Sequence, residues 1–349
     1  MLEPNFNIVS TVRSKSRNFL KANNPMKKQL IRHLFLYLVL FSTSSFSANE
    51  SESTEVIDSS AKIRKIPLSH AMVNNIDIAY KVIGEKDKPA VLMIMGLGAS
   101  HILWGDEITL QLVDAGYRII LFDNRDTGES QRLDEFGQPV IWWQLLKSQF
   151  GLEVDADYTL DDMAKDSIAL LDELGIEKAH IIGASMGGMI AQVVAAKHPK
   201  RGISLTSIMS TPGFGDHLPQ PSTEANDQLT NMANDEVDNS ARLKRIGIHT
   251  ESMPRQIMAI LKSGDRTEDV KTIAIPTLVL HGVDDALIPL PHGEYTASLI
   301  SGSKFVSFEG MGHSMPATVL PEIISNIVRH LKSADRMLLS AGNTTQIAF

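Results

Sequence analysis

The sequence predicts an α/β fold in which a mostly parallel sheet is covered by helices on both faces. Short apolar runs of the kind that form buried strands recur along the chain, and residues 90–95 (AVLMIM) are the clearest of them. Segments with apolar residues at helical spacing separate these runs, and such alternation is typical of parallel sheets. A longer segment, residues 213–270, interrupts the alternation and predicts an inserted helical lid between two strands.

Two kinds of strand are predicted. Ile76, Ile78, Tyr80 and Val82 recur with period two, which indicates a strand with one buried face. Continuous apolar runs instead predict strands buried on both faces, as the central strands of a parallel sheet are. Besides 90–95, these runs are 117–122, 180–183, 204–209, 277–281 and the shorter 304–308.

Helix signals lie between the strands. Thr159 and Asp162 approach a capping box at the start of one helix, and Gly175 is well placed to end it. Two further helices are predicted over residues 185–197 and 320–331. The lid segment begins with several prolines and glycines and becomes Met-rich, and its apolar residues favour at least one packed helix.

The composition is that of an ordinary globular protein. Hydrophobic residues make up 43% and charged residues 21% of the 349 residues. The sequence contains no cysteine, which excludes disulfides, a thiol nucleophile and cysteine-based metal sites. We expect one principal domain over residues 63–333, preceded by a flexible acidic lead-in at 48–62 and followed by a C-terminal tail at 334–349.

The first 47 residues have the pattern of a secretory signal. A basic stretch begins at Met26, an apolar run (LFLYLVLF) follows, and Ser45 and Ser47 have the spacing of a cleavage site. We therefore expect a signal peptide at 26–47, cleavage near Ser47, and export to the periplasm or the medium. Residues 1–25 are then an upstream extension, and translation is expected to start at Met26.

The apolar run is well short of the roughly 20 residues that a membrane-spanning helix needs. We therefore expect no stable membrane span in the mature form. The same pattern also fits an N-terminal amphipathic helix or an uncleaved anchor, and the sequence leaves these alternatives open.

Charge argues against nucleic acid as a partner. Seven of the 33 Lys and Arg residues and one of the 41 Asp and Glu residues lie within residues 1–47, so residues 48–349 carry a net charge of −14. Such a surface repels polyanions. We expect a small-molecule substrate instead.

A candidate nucleophile lies in a G-x-S-x-G sequence, Gly183 to Gly187, between a predicted strand and a predicted helix. In that context the turn is so tight that glycine is needed on both sides, and it raises the Ser185 hydroxyl above the edge of the sheet. The helix N-terminus beneath it favours developing negative charge. The alternative is that Ser185 is a structural turn residue.

A serine hydroxyl needs a base within hydrogen-bonding reach, and the base needs an orienting carboxylate. His313 follows the last predicted strand in a Gly-x-Gly-His turn, and Asp284 and Asp285 follow the strand before it. We favour Asp285 as the acid, with Asp284 as the alternative. The resulting order, serine, aspartate, histidine, differs from the orders in chymotrypsin and subtilisin.

The reaction also needs backbone donors for an oxyanion. We expect one from the amide of Met186, directly after the nucleophile, and a second from the amide of Leu97 in the loop after residues 90–95. Gly96 and Gly98 let this loop approach the substrate closely. Trp104, shortly after the loop, is a candidate for the wall of the substrate pocket, and Trp142 and Trp143 are either further wall residues or plain core.

With these motifs the chain resembles the α/β-hydrolase superfamily, and within it the aclacinomycin methylesterase-like branch. The resemblance covers residues 63–332. It implies the α/β-hydrolase fold, a serine-hydrolase mechanism and, for the loop 123–130, a structural role beside the site. It supports Asp285 over Asp284 as the acid, because the acid of that superfamily usually lies three residues after the glycine of this loop. The motifs are 95–98 (MGLG), 123–130 (DNRDTGES), 158–164 (YTLDDMA), 183–189 (GASMGGM), 263–266 (SGDR) and the segments around Asp285 and His313.

Two departures limit what the resemblance implies. Many members have His-Gly where this chain has Met95-Gly96, which is tolerable because the contribution there is from the backbone. The lid is shorter than in the methylesterase-like branch, and because lids shape substrate pockets, the identity of the substrate does not carry over.

The expected function is cleavage of a small, apolar carboxylic ester through an acyl-enzyme, with no cofactor and no metal. Three alternatives stay open. A serine-dependent perhydrolase or cofactor-free haloperoxidase would use the same residues with hydrogen peroxide as acceptor, and an acyltransferase would use an alcohol. A non-catalytic ligand-binding protein of the same fold is the third.

Overall fold

The computed structural model describes residues 61–150, 152–215, 217–226 and 240–346. The predicted signal peptide at 26–47, its cleavage site and almost all of the lead-in at 48–62 lie outside these residues. Within the described part of the chain, no helix is long and apolar enough to cross a membrane.

The centre of the fold is an eight-stranded sheet with the order β1-β2-β4-β3-β5-β6-β7-β8. The first two strands are antiparallel to their neighbours, and the pairs from β4 to β8 are parallel. The mostly parallel sheet predicted from the alternation of strands and helices is therefore confirmed. The strands are β1 (Ser69–Val73), β2 (Ile76–Ile83), β3 (Ala90–Ile94), β4 (Arg118–Phe122), β5 (Ala179–Ala184), β6 (Gly202–Ile208), β7 (Thr277–Gly282) and β8 (Lys304–Phe308).

Burial along the strands explains the sequence patterns. Every residue of β3, β5 and β7 is buried, because helices cover both faces of the parallel part of the sheet. Alternate residues of β3 enter two different apolar clusters: Leu92 and Ile94 pack on one face, Val91 and Met93 on the other. The sequence did not predict β1, whose edge position leaves most of its side chains exposed.

Helices form the two outer layers. The first apolar cluster contains α4 and α5, and the second contains α2 and α10. With the bounds that the described residues define, the helices are α1 (Ala61–Lys65), α2 (Gly105–Asp114), α3 (Ile141–Gln149), α4 (Leu160–Glu173), α5 (Met186–Lys197), α6 (Ser240–Ile246), α7 (Met253–Ser263), α8 (Thr267–Lys271), α9 (Pro291–Leu299) and α10 (Leu320–Gln346).

Two helix boundaries test the sequence reasoning. The capping box at the start of α4 is present in both directions, with Thr159 and Asp162 each accepting from the other's backbone amide. The helix predicted over 320–331 instead continues to Gln346, so most of the expected tail at 334–349 is helical. Its continuation is held by packing, since Ala334 is buried and Asp335 hydrogen-bonds to Tyr117 and His180.

The insertion between β6 and β7 contains α6, α7 and α8. Helix α7 is strongly amphipathic and packs against α3 and α4, and its Met253 and Met258 are buried. We refer to α3, α6 and α7 with the residues that join α6 to α7 as the cap. Helix α8 falls inside the predicted lid range 213–270 but packs against α5 and α9, so it belongs to the outer helical layer.

Candidate active site

Ser185 lies on a strained turn between β5 and α5. Its backbone has φ 56° and ψ −124°, a conformation that non-glycine residues rarely adopt. A Cβ on Gly183 would lie 2.1 Å from the carbonyl oxygen of Gly187, and a Cβ on Gly187 would lie 2.1 Å from that of Ile94. The two glycines of the G-x-S-x-G sequence are thus required by close backbone contacts.

The structure brings the three predicted side chains together beyond the carboxyl ends of the parallel strands β5, β7 and β8. Ser185 Oγ lies 2.9 Å from His313 Nε2, and His313 Nδ1 lies 2.8 Å from Asp285 Oδ2. The carboxylate is fully buried, whereas the imidazole is 21% exposed. We call this hydrogen-bonded chain the relay.

The loop after β7 distinguishes the two neighbouring acids. Asp285 Oδ1 accepts from the amides of Leu287 and Ile288 at 3.0 and 2.8 Å, which leaves Oδ2 for the imidazole. Asp284 is exposed, and its Oδ2 accepts from the amide of Gly310 at 2.9 Å. Asp285 therefore faces His313, and Asp284 ties the two loops together.

The loop after β3 passes directly beside the serine. A Cβ on Gly96 would lie 3.0 Å from Ser185 Cβ and 3.4 Å from Oγ. Gly98 has φ 61°, in the left-handed region that favours glycine. Among the described residues, no hydrogen bond uses the amide of Leu97 or Met186. Both amides are thus available as donors, as the sequence predicts for an oxyanion site.

Known proteins resemble this chain both in sequence and in fold. A sequence model of the alpha/beta hydrolase fold matches residues 89–235. A rhodomycin D methylesterase from Streptomyces peucetius is 26% identical over 75% of this chain and 98% of its own length. Among solved structures, an esterase from Exiguobacterium antarcticum superposes with a TM-score of 0.61 at 19% identity, covering 76% of this chain and 99% of that one. This chain has the α/β-hydrolase fold.

The relatives of this chain carry the names of esterases and hydrolases. A bifunctional esterase/perhydrolase from Acinetobacter calcoaceticus is 23% identical over 74% of this chain and 98% of its own length. The resemblance to the methylesterase-like branch, predicted from the motifs, is confirmed by the match to the rhodomycin D methylesterase. The chain is an enzyme of the carboxylesterase-like type.

The tryptophans of this hydrolase lie in two different environments. Trp104 is 3% exposed and belongs to the same apolar cluster as Met95 and Ala99 of the neighbouring loop. Its position against that loop is compatible with the predicted wall residue. Trp142 and Trp143 on α3 are 51% and 46% exposed, so neither is a plain core residue.

The loop 123–130 supports the loop after β3 from behind. Asp123 is fully buried, and its Oδ1 accepts from both the backbone amide and Nδ1 of His101 at 2.7 Å. Asn124 donates to the carbonyl oxygen of Met95 at 2.8 Å. The structural role that the resemblance implied for this loop agrees with these contacts, but the buried partner His101 had no signal in the sequence.

A second histidine lies beneath the acid. Nε2 of His281 donates to the carbonyl oxygen of Ile288 at 2.7 Å and lies 3.6 Å from Asp285 Oδ2. Burial lowers the pKa of His281, so the ring is neutral at pH 7. It braces the loop that presents Asp285, and the sequence analysis missed it because it lies within an apolar strand. Among the described residues, no group of three or more His, Asp or Glu side chains could hold a metal ion.

Proposed function

We propose that this hydrolase cleaves small carboxylic esters by nucleophilic catalysis at Ser185. The observation that carries the proposal is the relay, with its two contacts of 2.9 and 2.8 Å at the start of a helix. An adjacent base oriented by a buried carboxylate is the arrangement that activates a serine hydroxyl.

The reaction would proceed in two halves. His313 Nε2 takes the proton of Ser185 as Oγ attacks the ester carbonyl, and the oxyanion accepts hydrogen bonds from the amides of Leu97 and Met186. The intermediate collapses when His313 gives the proton to the leaving alcohol, which leaves an acyl-serine. Water, deprotonated by His313, then attacks the acyl group; the bond to Oγ breaks as His313 returns the proton to Ser185, and the carboxylic acid is released. Asp285 stays ionised and stabilises the imidazolium.

The expected substrate is neutral and apolar in its acyl part. Met253 of the cap is buried and lies against Gly98 of the loop after β3, so the cap presents an apolar side chain beside the proposed oxyanion site. The net charge of −14 over residues 48–349 disfavours anionic esters. The names of the relatives, a methylesterase and an esterase/perhydrolase, support an ester as the substrate class.

A perhydrolase activity is the second candidate, because one relative is named an esterase/perhydrolase. The same acyl-serine would be attacked by hydrogen peroxide instead of water, giving a peracid and free serine. An acyltransferase would require a bound alcohol acceptor in the same position.

We also propose that the protein is exported after cleavage near Ser47, with translation starting at Met26. The basic, apolar and small-residue segments of residues 26–47 support this proposal. N-terminal sequencing of the mature protein tests it, since a species that retains Met1 would refute it.

The decisive experiment is an ester panel of varied acyl length, run with and without hydrogen peroxide, on the wild type and Ser185→Ala. We expect the wild type to hydrolyse short neutral esters and the variant to lose about 10⁶-fold in kcat. A fluorophosphonate should label the wild type on the peptide that contains Ser185, and heat-denatured protein is the control. A folded variant that keeps more than a few per cent of the activity would refute the proposal.

A further inference from the structure

The cap is bonded to the loop that carries the proposed oxyanion donor. The amide of Ser100 donates to the carbonyl oxygen of Gly247 at 2.8 Å, and the amide of His249 donates to that of Gly98 at 2.6 Å. Ala99 and Ile248 form an antiparallel bridge between these bonds. Residues 98–100, which we call the oxyanion loop together with 96 and 97, are therefore paired with the cap as two short strands would be.

One side chain of the cap completes this attachment. Gln256 of α7 is fully buried, and its Oε1 accepts from the amide of Gly98 at 2.7 Å. Its Nε2 donates to Thr127 Oγ1 at 2.6 Å. The carboxamide thus bridges the oxyanion loop to the loop after β4, and both ends of the bridge are buried.

An ion pair fixes the part of α7 that carries Gln256. The neighbouring Arg255 is buried and makes two hydrogen bonds of 2.7 Å to the carboxylate of Asp126, which is also buried. Helix α7 is therefore held against the loop after β4 by a bidentate ion pair, a geometry with strong directional preference. Gln256 is the next residue of α7, so the same ion pair also fixes its position.

The peptide geometry links Gln256 to the oxyanion site. The amide of Gly98 belongs to the peptide plane that begins at the carbonyl of Leu97, and this plane is rigid. Holding that amide limits rotation about the Leu97 backbone, which in turn sets the direction of the Leu97 amide. A Cβ on Gly98 would lie 2.8 Å from the Met253 side chain, so the loop has little room to relax.

We propose that Gln256 is a positioning residue that holds the Leu97 amide of the oxyanion site in its productive direction. This inference rests on the proposed function, because it assigns the Leu97 amide to the oxyanion. In the described structure the Gln256 side chain makes no hydrogen bond to a residue of the relay, so it acts through Gly98. The cap then contributes to the rate of the reaction as well as to the fit of the substrate.

The test is Gln256→Met, which keeps the length of the side chain and removes its hydrogen bonds to the Gly98 amide, to Thr127 Oγ1 and, at 3.4 Å, to the carbonyl oxygen of Arg125. Displacement of an oxyanion donor should lower kcat by roughly 10- to 100-fold, with KM changed less than about threefold. A trifluoromethyl ketone, which forms an oxyanion on binding the serine, should bind more weakly by the same factor by which kcat/KM falls. A merely structural role of Gln256 would not produce this correspondence.

Thr127→Val provides a second variant that is less disruptive. It removes the nearer acceptor of Gln256 Nε2 but leaves the longer bond to the carbonyl oxygen of Arg125 and the bond to Gly98, so we expect a smaller loss in kcat, roughly three- to tenfold. The double variant should be no slower than Gln256→Met, because both changes break the same bridge. Additive losses would overturn the proposal.

Gln192→Met is the matched control. Gln192 is also fully buried, and its Nε2 donates to Ser207 Oγ at 3.1 Å, but it does not contact the oxyanion loop. We expect its kcat and its affinity for the ketone to stay within about twofold of the wild type, because the oxyanion donors are undisturbed. An equal loss in this control, or a normal kcat in folded Gln256→Met, would refute the inference. Ser185→Ala separates the two claims: if it is inactive while Gln256→Met is normal, only the positioning role fails.

Discussion

The substitution Asp285→Asn changes one polar atom of the relay and keeps the volume of the side chain. Oδ1 of Asp285 accepts from two backbone amides, and Oδ2 accepts from His313 Nδ1. An asparagine will place its carbonyl oxygen towards the two amides, because the alternative would set its NH₂ group against two donors. Its NH₂ group then faces the imidazole.

This orientation of the asparagine amide changes which ring nitrogen of His313 carries the proton. With a donor opposite it, Nδ1 of His313 must accept, so the proton moves to Nε2 and points at Ser185 Oγ. The imidazole can then no longer take the serine proton. We expect kcat to fall about 10⁴-fold, as for the wrong tautomer in a serine-protease triad. At about 1.4 kcal/mol for each factor of ten, the loss corresponds to about 5 kcal/mol of transition-state stabilisation.

The assay is hydrolysis of a short p-nitrophenyl ester at saturating concentration, with Tm measured in parallel to show that the variant folds. Asp284→Asn is the control, since an asparagine carbonyl can still accept from the amide of Gly310. We expect its kcat to stay within about threefold of the wild type, because Asp284 does not touch the imidazole. If Asp284→Asn is the variant that loses activity, or if Asp285→Asn keeps more than about 1%, the assignment of the acid is wrong.

Three further outcomes follow from the structure. Gly187→Ala should prevent stable folding or lower Tm strongly, because its Cβ would lie 2.1 Å from a backbone oxygen. Gly312→Ala is the control in thermal unfolding, because its Cβ would make only an ordinary contact of 3.5 Å. Burial lowers the pKa of His330 to about 4, below its unfolded value near 6.5, so its neutral form is favoured by folding and stability should fall as the pH drops from about 6.5 to 4. Urea unfolding at several pH values should show this slope, and His330→Gln should make it less steep by the contribution of His330, about 3 kcal/mol at most. Neutral esters should have a higher kcat/KM than anionic esters of equal size, and a clear preference for the anionic ester would refute an apolar pocket.

The strands other than β1, and the candidate relay, could be predicted from sequence because their signals are local. A buried parallel strand is a continuous apolar run, and each relay residue follows such a run within a few positions of a glycine. The carboxyl ends of parallel strands meet at one edge of the sheet, so residues that follow different strands could be expected to lie close together. Asp285 was separated from Asp284 only with help from the family pattern, and the structure shows the physical reason in the two amides that hold its Oδ1.

The supporting contacts could not be predicted because they join residues far apart in the chain. Gln256 and Gly98 are separated by 158 positions, and neither lies in a pattern that indicates the other. His101 and Asp123 form a buried pair. In the sequence alone, both residues could equally well lie in a solvated loop. The end of α10 was missed for a related reason, since Asp335 is held by Tyr117 and His180 and not by a helical pattern of its own.

The sheet positions the relay and the cap holds the oxyanion loop, and this difference has a consequence for the range of substrates. Ser185, Asp285 and His313 are fixed by strand ends, whereas the oxyanion loop is bonded to the cap at Gly247, His249 and Gln256. Movement of α7 to admit a bulkier acyl group would therefore draw Gly98 with it and lower kcat as well as change KM. Residues 213–215 and 217–226, the described part of the segment before α6, make no hydrogen bond to the oxyanion loop, so substitutions there should act mainly on KM. Kinetic constants for apolar substitutions in these two segments, measured with a long-chain and a short-chain ester, test the argument, and equal effects on kcat from both segments would contradict it.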